Sequence, residues 1–427
     1  MGSVPETAFV GNRPRFVALA RLVAPGSWLR HKVSSEVGAF MREQELVDKV
    51  RALAPMVAEH ARQAELARKP VDAVMQALED TGVYRYFVPK KYGGYEFSLE
   101  SFMDIGVILG EACVSTAWVT TFCMEHNWLL ALYNEAAQED IFGQQPYIIA
   151  PGALAPNGMA KPVDGGYRLS GRWEWGTGVM HSDWVMLGAI TPQADSDAPT
   201  LSMFVIPRDE VDVADTWHTA GMVGTGSNDI VANDVFVPSH RTQDLATMRD
   251  GCSPGASLHE SPIYAMPMLP VLGLTAAAPL VGGAKKAVQL FQERLSERMI
   301  YGTGTRQGEK PAAQIRLGVL KERVALLESM LKDTAAEVAA WGERREACPG
   351  AERARLRLRI GLIAREARDI VRDAVEASGA HAHFLDNPLQ RILRDVQTAS
   401  CHTVFDIDLA GEQYGRMLLG LEPNAPF

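Results

Sequence analysis

Histidine changes charge more readily near neutral pH than any other side chain, and two of the ten histidines stand where an acid or base could act. His126 lies in the apolar, helix-like stretch Ser115–Tyr133, and His402 lies near the end of the chain. Each also suits a structural role, as a histidine whose ring is hydrogen-bonded by a neighbour. Thr177 lies in a strand-like run, where its hydroxyl can bind a cofactor or simply reflect β propensity.

A glycine-rich turn is the candidate for binding an anion. Residues 224–228, Gly-Thr-Gly-Ser-Asn, can present backbone N–H groups to a phosphate, although ordinary turn chemistry explains the same composition. Other chemistries lack their sequence signatures. The cysteines form no C-x-x-C pair, and no G-x-G-x-x-G run follows a predicted strand and opens a helix. The sequence therefore indicates neither a metal site nor a site for NAD(P)H.

The elements that must position these residues fall into zones of different periodicity. Apolar residues recur at helical spacing early in the chain and again late, whereas glycine and proline divide the middle into short runs at strand spacing. We therefore predict an α+β chain with a central small β-barrel or sandwich, antiparallel in its pairing, between two helical parts. The predicted divisions are a flexible N-terminal extension (1–40), a helical domain (41–146), a β domain (147–240), a connecting loop (241–268) and a C-terminal helical domain (269–427).

The C-terminal zone contains two apolar stripes that predict long helices. The first is formed by Ile315, Val319, Val324, Leu327, Leu331 and Val338. The second is formed by Ile360, Ile363, Ala367, Ile370 and Ala374. These stripes suit a bundle within one chain or the core of an assembly.

Composition excludes several classes of partner. The net charge is −10 and lysine and arginine do not cluster with aromatic residues, which argues against nucleic acid. Five cysteines, an odd number, favour a reducing, cytoplasmic setting. The most apolar stretch, Met266–Gly283, is short and contains three prolines, so we expect a buried helix start rather than a membrane span.

Several motifs, in order, carry a resemblance to a known family. Residues 81–94 contain Thr-Gly-Val-Tyr followed by Val-Pro-Lys-Lys-Tyr-Gly-Gly, which resembles the "G…P…YGG" turn of the acyl-CoA dehydrogenase superfamily. Residues 167–178 are similar to that superfamily's strand pair beside its flavin, and residues 224–238 follow in the same order. The resemblance covers nearly all of 41–427, and the order and spacing of the motifs, rather than any single one, carry it.

Within that superfamily, the chain resembles the flavin-dependent hydroxylases of phenols and related aromatics. The likeness lies in Glu125–Leu132, in Gly379–Arg391, and in Arg394-Asp395 followed by His402. Many acyl-CoA dehydrogenases carry a glutamate base eight residues after the aspartate of such an Arg-Asp pair, but here that position is Thr403. A threonine hydroxyl cannot take an α-proton at neutral pH. The resemblance therefore implies the oxygenase component of a two-component flavin monooxygenase.

Such an enzyme takes up FMN or FAD already reduced by a separate NAD(P)H:flavin reductase. Oxygen adds at flavin C4a, and the resulting hydroperoxide passes its distal oxygen to an aromatic substrate. By resemblance, His402 lies beside the C4a–N5 edge and donates a hydrogen bond or proton to the nascent peroxide. Thr177 would bind flavin N5, and His126 would bind the phenol oxygen and assist its deprotonation. Trp175 would pack on the flavin or in the core.

The resemblance also implies residues that hold the cofactor's phosphates. Gly226 and Ser227 belong to the glycine-rich turn described above. Arg298, followed by Tyr301, is similar to an Arg-x-x-Phe-Gly element that reaches a neighbouring subunit's cofactor, with tyrosine in place of the usual phenylalanine. Cofactors shared between subunits imply a homotetramer. The Arg394-Asp395 pair is expected to be a structural ion pair that orients the last helix.

Other functions stay open at this point. A related enzyme could oxygenate an amino nitrogen or a thiophene sulfur instead of a ring carbon. A dehydrogenase-like or nitroalkane-oxidase-like enzyme would retain oxidised FAD and need a carboxylate base beside it. A helical scaffold without activity would leave the ordered motifs of the β zone unexplained.

Overall fold

The computed structural model describes residues 41–192, 200–249 and 251–425. The predicted N-terminal extension lies outside the described residues. Met41–Phe427 forms one compact unit by its internal contacts, and the predicted divisions within it, at 146, 240 and 268, stay predictions. The order is helices, then one sheet, then helices, which confirms the predicted α+β class.

Five helices form the first helical part. They are α1 (Glu43–Ala67), α2 (Asp72–Thr81), α3 (Leu99–Ala112), α4 (Val114–Leu130) and α5 (Glu135–Phe142). Leu46, Val50 and Val57 of α1 are buried, as their helical spacing predicts. Helix α2 ends at Gly82, whose left-handed backbone (φ 84°) suits a residue without a Cβ.

The described residues of the central part form one seven-stranded sheet in the order β5-β6-β2-β1-β3-β4-β7. The strands are β1 (Gly152–Val163), β2 (Gly166–Trp173), β3 (Trp184–Thr191), β4 (Thr200–Pro207), β5 (Asp212–Ala214), β6 (Asp229–Pro238) and β7 (Thr242–Asp244). The expected antiparallel pairing is wrong at one place, because β1 and β3 pair in parallel. The chain returns along β2 on one side of β1 and crosses to its other side through residues 174–183. That crossover segment contains Thr177.

The predicted connecting loop at 241–268 is not a plain loop. After β7 it contains the short helices α6 (Leu245–Arg249) and α7 (Pro254–Leu258) and a 3-10 turn at Pro262–Ala265. Ser253 caps α7 and Pro254 occupies its first position, a local helix-start signal. The indole N–H of Trp128, on α4, donates to the carbonyl of Ile263 and fixes this segment against α4.

The C-terminal part is helical, as predicted. Its helices are α8 (Met268–Glu297), α9 (Pro311–Arg344), α10 (Gly350–Ser378), α11 (Pro388–Ala399) and α12 (Ile407–Leu418). Helix α8 packs against α3, α9 and α10. By length and composition it could cross a membrane, but 83% of its most apolar window is buried inside the protein. This agrees with the buried helix start expected at Met266–Gly283.

The two predicted stripes have different outcomes. All five residues of the α10 stripe are buried, which confirms it. The α9 stripe is not one face: Ile315 and Val319 are exposed, whereas the residues from Val324 onward are buried. Ile315 and Val324 are nine residues apart, about two and a half turns, and therefore lie on opposite sides of the helix.

Candidate active site

One side of helix α4 carries a single row of aromatic rings. Trp118, Phe122 and His126 follow each other at intervals of four, so they lie on the same side of the helix. The Trp118 and Phe122 rings stack with centroids 4.7 Å apart, and the His126 ring meets Phe122 edge-on at 5.7 Å. Trp118 and His126 are almost fully buried. The face therefore forms a wall of rings that ends in an imidazole.

His402 joins this wall from the other end of the chain. It lies after α11, at the start of a 3-10 turn, and is half-buried. Its ring stands edge-on to Trp118 at 5.7 Å and to Phe122 at 6.3 Å. The structure thus brings His126 and His402, more than 270 residues apart in sequence, against the same ring, that of Phe122. We call Trp118, Phe122, His126 and His402 the aromatic cluster.

The hydrogen bonds of His402 define which nitrogen carries its proton. The backbone N–H of Val404 donates to Nδ1 at 3.2 Å, so the neutral ring has its proton on Nε2. Burial lowers the pKa of His402 to about 4, so the ring is neutral at physiological pH. His402 is therefore a neutral hydrogen-bond donor through Nε2–H.

His126 has the opposite tautomer. Its Nδ1 lies 2.6 Å from the carbonyl of Ala150, and a carbonyl only accepts, so Nδ1 carries the proton and Nε2 is an acceptor. Burial lowers the pKa of His126 to about 4, against the opposing effect of that hydrogen bond. His126 is therefore a neutral acceptor through Nε2. The cluster holds one imidazole donor and one imidazole acceptor.

Three buried hydroxyls connect the crossover segment to the glycine-rich turn. Thr225 Oγ1 donates to the carbonyl of Met222 at 2.8 Å, so Ser227, 2.8 Å away, must donate to Thr225. The Ser227 oxygen then accepts from Thr177 Oγ1 at 3.0 Å. In this arrangement the Thr177 hydroxyl proton is donated to Ser227, so the Thr177 oxygen can still accept a hydrogen bond from another donor.

Both segments of this hydroxyl chain lie against α4. A Cβ on Gly178 (φ 87°) would lie 3.0 Å from the Cys123 sulfur, which is closer than an ordinary contact. A Cβ on Gly224 would lie 3.2 Å from the Cβ of Ser115. Helix α4 thus supports the hydroxyl chain as well as the aromatic cluster.

The expected ion pair between Arg394 and Asp395 is wrong, because each binds something else. Asp395, fully buried on α11, accepts from the backbone N–H of Met222 at 2.6 Å and from the Ser115 hydroxyl at 3.1 Å. Arg394 binds the carboxylate of Glu65 and the carbonyl of Ala220. Together the two residues fix the start of the glycine-rich turn to α1, α4 and α11.

Trp175 and Gly226 lie in the two segments of the hydroxyl chain. Trp175 has a left-handed backbone (φ 64°) and is 57% exposed, which excludes the core role considered for it. Gly226 also has a positive φ of 58°, and a Cβ there would lie 2.7 Å from the carbonyl of Arg68. An exposed indole held in a strained conformation is available to pack against a ligand.

Arg298 and Tyr301 lie elsewhere. In the described part of the chain, the Arg298 guanidinium binds Gln307 at 3.2 Å and the carbonyl of Ser378 at 3.4 Å rather than any member of the aromatic cluster. Tyr301 is fully exposed. Their predicted role, binding the cofactor of a neighbouring subunit, stays a prediction.

Sequence reasoning missed Trp118 and Phe122, although their spacing from His126 was a usable signal. It also missed the side-chain hydrogen bonds of Thr225, a residue of the predicted glycine-rich turn, and the anchoring role of Asp395, because both depend on tertiary contacts. A cavity of about 300 Å³ lies between the start of α3, residues 262–266 and α9, lined mainly by apolar atoms. It includes none of the predicted site residues, and its side chains offer no acid–base pair comparable to the two histidines.

Comparisons with known proteins give a consistent result. Residues 274–407 match the family described as acyl-CoA dehydrogenase, C-terminal domain. A pigment production hydroxylase from a Rhodococcus species is 36% identical over 90% of this chain and 98% of its own length. The oxygenase component of an FADH2-dependent resorcinol hydroxylase from a Rhizobium species is 30% identical over 90% and 96%. The crystal structure of the HsaA monooxygenase from M. tuberculosis superposes with a TM-score of 0.84 at 29% identity, covering 90% and 99%.

Proposed function

Because this chain belongs to the oxygenase components of two-component flavin-dependent monooxygenases, which share the acyl-CoA dehydrogenase fold, we propose that it hydroxylates a phenolic ring at the aromatic cluster. One observation carries the proposal. Two neutral imidazoles of opposite tautomer, His402 as donor and His126 as acceptor, both contact the ring of Phe122. A phenol needs a base for its O–H, and an activated oxygen needs a donor.

The residues present fit a reduced flavin. In the reduced form flavin N5 carries a proton, and Thr177 is left by the hydroxyl chain as an acceptor for such a donor. Trp175 offers an exposed indole to the flat ring. When bound, the reduced flavin supplies the electrons and the activated oxygen. We propose that Thr177, Ser227, Trp175 and the backbone around Gly226 hold it, as reduced FAD or FMN.

The histidines then have separate roles. We assign to His402 Nε2–H a hydrogen bond to the activated oxygen, and to His126 Nε2 the proton of the substrate hydroxyl. The stacked Trp118 and Phe122 rings pack against a flat aromatic substrate and exclude water, which protects the activated oxygen from loss as peroxide. Over the whole reaction, one oxygen atom of O2 enters the ring and the other leaves as water.

The test is a single-turnover reaction that needs no reductase. The protein would be mixed with chemically reduced FAD or FMN, oxygen and a panel of phenols of one to four rings, and the products identified by mass spectrometry. We expect a ring-hydroxylated product from at least one phenol, lost in His126→Asn and in His402→Ala. His240→Asn is the matched control, because that half-buried histidine pairs with Asp140 away from the aromatic cluster. Equal yields in all four proteins would contradict the assignment.

We further propose a homotetramer served by a separate NAD(P)H:flavin reductase in the cytoplasm. Relatives of this chain are named oxygenase components, which implies a reductase. On α9, Ile315, Val319 and Leu326 are each more than half exposed and lie on one side of the helix. An exposed apolar stripe on a helix of 34 residues is suited to contact with another subunit.

The assembly is tested by sedimentation of the wild type and of Ile315→Glu/Val319→Glu. We expect a tetramer for the first and smaller species for the second. A monomeric wild type would contradict the proposal. If Arg298 contacts a neighbouring subunit's flavin, Arg298→Ala should weaken flavin binding and leave the tetramer intact.

A further inference from the structure

A buried carboxyl group next to His126 has no role in the function proposed above. Glu125 is 1% exposed, in the middle of α4. Its Oε1 has no hydrogen-bond partner among the described residues, and its Oε2 lies 3.6 Å from His126 Nε2. An unpaired buried carboxyl costs free energy, so its retention calls for a partner that binds there.

The state of this carboxyl follows from its surroundings. Burial raises the pKa of Glu125 well above its usual value, which favours the protonated form with one O–H to donate. A carboxylic acid kept neutral by an apolar site can serve as a hydrogen-bond donor at neutral pH. The 3.6 Å between Oε2 and Nε2 is too long for a direct hydrogen bond between them.

The gap has the size that a single oxygen atom bridges. An oxygen about 2.8 Å from each atom forms a triangle on the 3.6 Å base. Hydrogen bonds hold the His126 ring in position for this. The side-chain amide of Asn127 donates to the carbonyl of Ile148 and accepts from its backbone N–H, and the carbonyl of Ala150 accepts from Nδ1 of His126. Gly152 keeps the position beside Nε2 open, since a Cβ there would lie 3.0 Å from that atom.

Other ionisable groups near the pair include Cys123 and Asp183. The Cys123 thiol lies two residues before Glu125, and burial raises its pKa, so it stays neutral. The charge of the Asp183 carboxylate also raises the pKa of Cys123, and this carboxylate accepts a hydrogen bond from the backbone N–H of Ile149. Glu125 and His126 are thus the groups positioned to exchange protons with a bound hydroxyl.

We propose that Glu125, as a neutral acid, donates its O–H to the substrate oxygen while His126 Nε2 takes the proton from that oxygen. The phenol O–H bond breaks, an N–H bond forms at Nε2, and the phenolate oxygen accepts from the Glu125 carboxyl. No electrons are transferred in this step. The inference rests on the proposed function, because it takes the His126 site to bind a phenol. It makes Glu125 a catalytic residue that selects hydroxylated over unsubstituted rings.

The experiment measures the pKa of a bound phenol. p-Fluorophenol would be titrated with pH in anaerobic solution with the protein and reduced FMN, and fluorine NMR would report its ionisation. In the wild type we expect the bound phenol to ionise at lower pH than free phenol. Glu125→Leu should raise that bound pKa by about one unit, a tenfold loss of phenolate relative to phenol. Glu125→Gln, whose amide still donates, should raise it less.

The sign of the change separates the possible outcomes. If Glu125→Leu lowers the bound pKa, Glu125 is an anion that repels phenolate, and the inference is overturned. An unchanged pKa in both Glu125 variants, with a raised one in His126→Asn, overturns it while leaving the proposed function intact. If wild-type protein leaves the phenol's ionisation as in free solution, the proposed function fails as well. Glu125→Gln preserves side-chain volume, and its circular dichroism melt checks that the fold is retained.

Discussion

Asp395 offers a test of how the site is anchored. Its carboxylate is buried where α11, α4 and the glycine-rich turn meet, and it accepts from Met222 N–H and the Ser115 hydroxyl. Burial raises the pKa of Asp395 to about 6, against those hydrogen bonds and the nearby arginines. The folded protein therefore holds a proton on this group more tightly than the unfolded chain does. The perturbation is Asp395→Asn, which removes the titration and keeps the shape.

The magnitude follows from the shift. The usual pKa of an aspartate is near 3.8, so the folded and unfolded states differ by about two pKa units, or about 3 kcal/mol. Because the folded pKa is the higher one, this stabilisation is complete below about pH 4 and is lost as the pH rises through about 6. The free energy of unfolding of the wild type should therefore fall by about 3 kcal/mol relative to Asp395→Asn over that range.

The assay is urea denaturation of both proteins at fixed concentration, at several pH values between about 4 and about 7. The asparagine leaves one donor unmatched, so a constant offset of about 1–3 kcal/mol is expected as well. Ser115→Ala is the matched control, because it removes a hydrogen bond at the same place but no titrating group. If the free energy of unfolding of the wild type instead rises with pH relative to that of Asp395→Asn, the reasoning is refuted. That result would mean that the hydrogen bonds outweigh burial and lower the pKa of Asp395.

Three further predictions concern the site itself. Gly152→Ala would place a Cβ 3.0 Å from His126 Nε2, so hydroxylated product per flavin oxidised should fall about tenfold while peroxide rises; an unchanged product-to-peroxide ratio would contradict this. Ser227→Ala frees the Thr177 proton, so the preference for reduced over oxidised FMN, measured by equilibrium dialysis, should drop by about tenfold, and an unaltered preference would count against the hydroxyl chain. Because the pKa of His402 is lowered to about 4, single-turnover hydroxylation should show no His402-dependent step between about pH 5 and about pH 8; a step lost in His402→Ala would overturn the neutral assignment.

The sequence predicted the large elements well because their signals are local. Helix α2 ends at Gly82 because the left-handed backbone conformation at a helix end favours glycine. The α10 stripe is buried because its five residues follow the helical repeat. Ser253 and Pro254 were an equally local signal for α7, in a segment expected to be a loop. The predicted α9 stripe was wrong because the five-residue step from Val319 to Val324 turns the pattern away from the helix face that contains Ile315 and Val319.

The site was predicted only in part, because its geometry comes from residues far apart. The motifs selected His126, His402, Thr177 and Ser227. The structure links the first two through the Phe122 ring that both contact, and the last two by a hydrogen bond. Which ring nitrogen of each histidine carries the proton depends on backbone groups that no sequence pattern specifies. The same holds for Asp395, whose partners are 173 and 280 residues away.

The most direct test of the central claim is rapid mixing of the protein and chemically reduced FMN or FAD with oxygenated buffer, following the flavin spectrum without substrate. We predict a transient absorbing species, distinct from reduced and oxidised flavin, that outlives its counterpart in free solution and decays faster in His402→Ala. Reoxidation at the rate of free flavin, with no transient in either protein, would contradict the account.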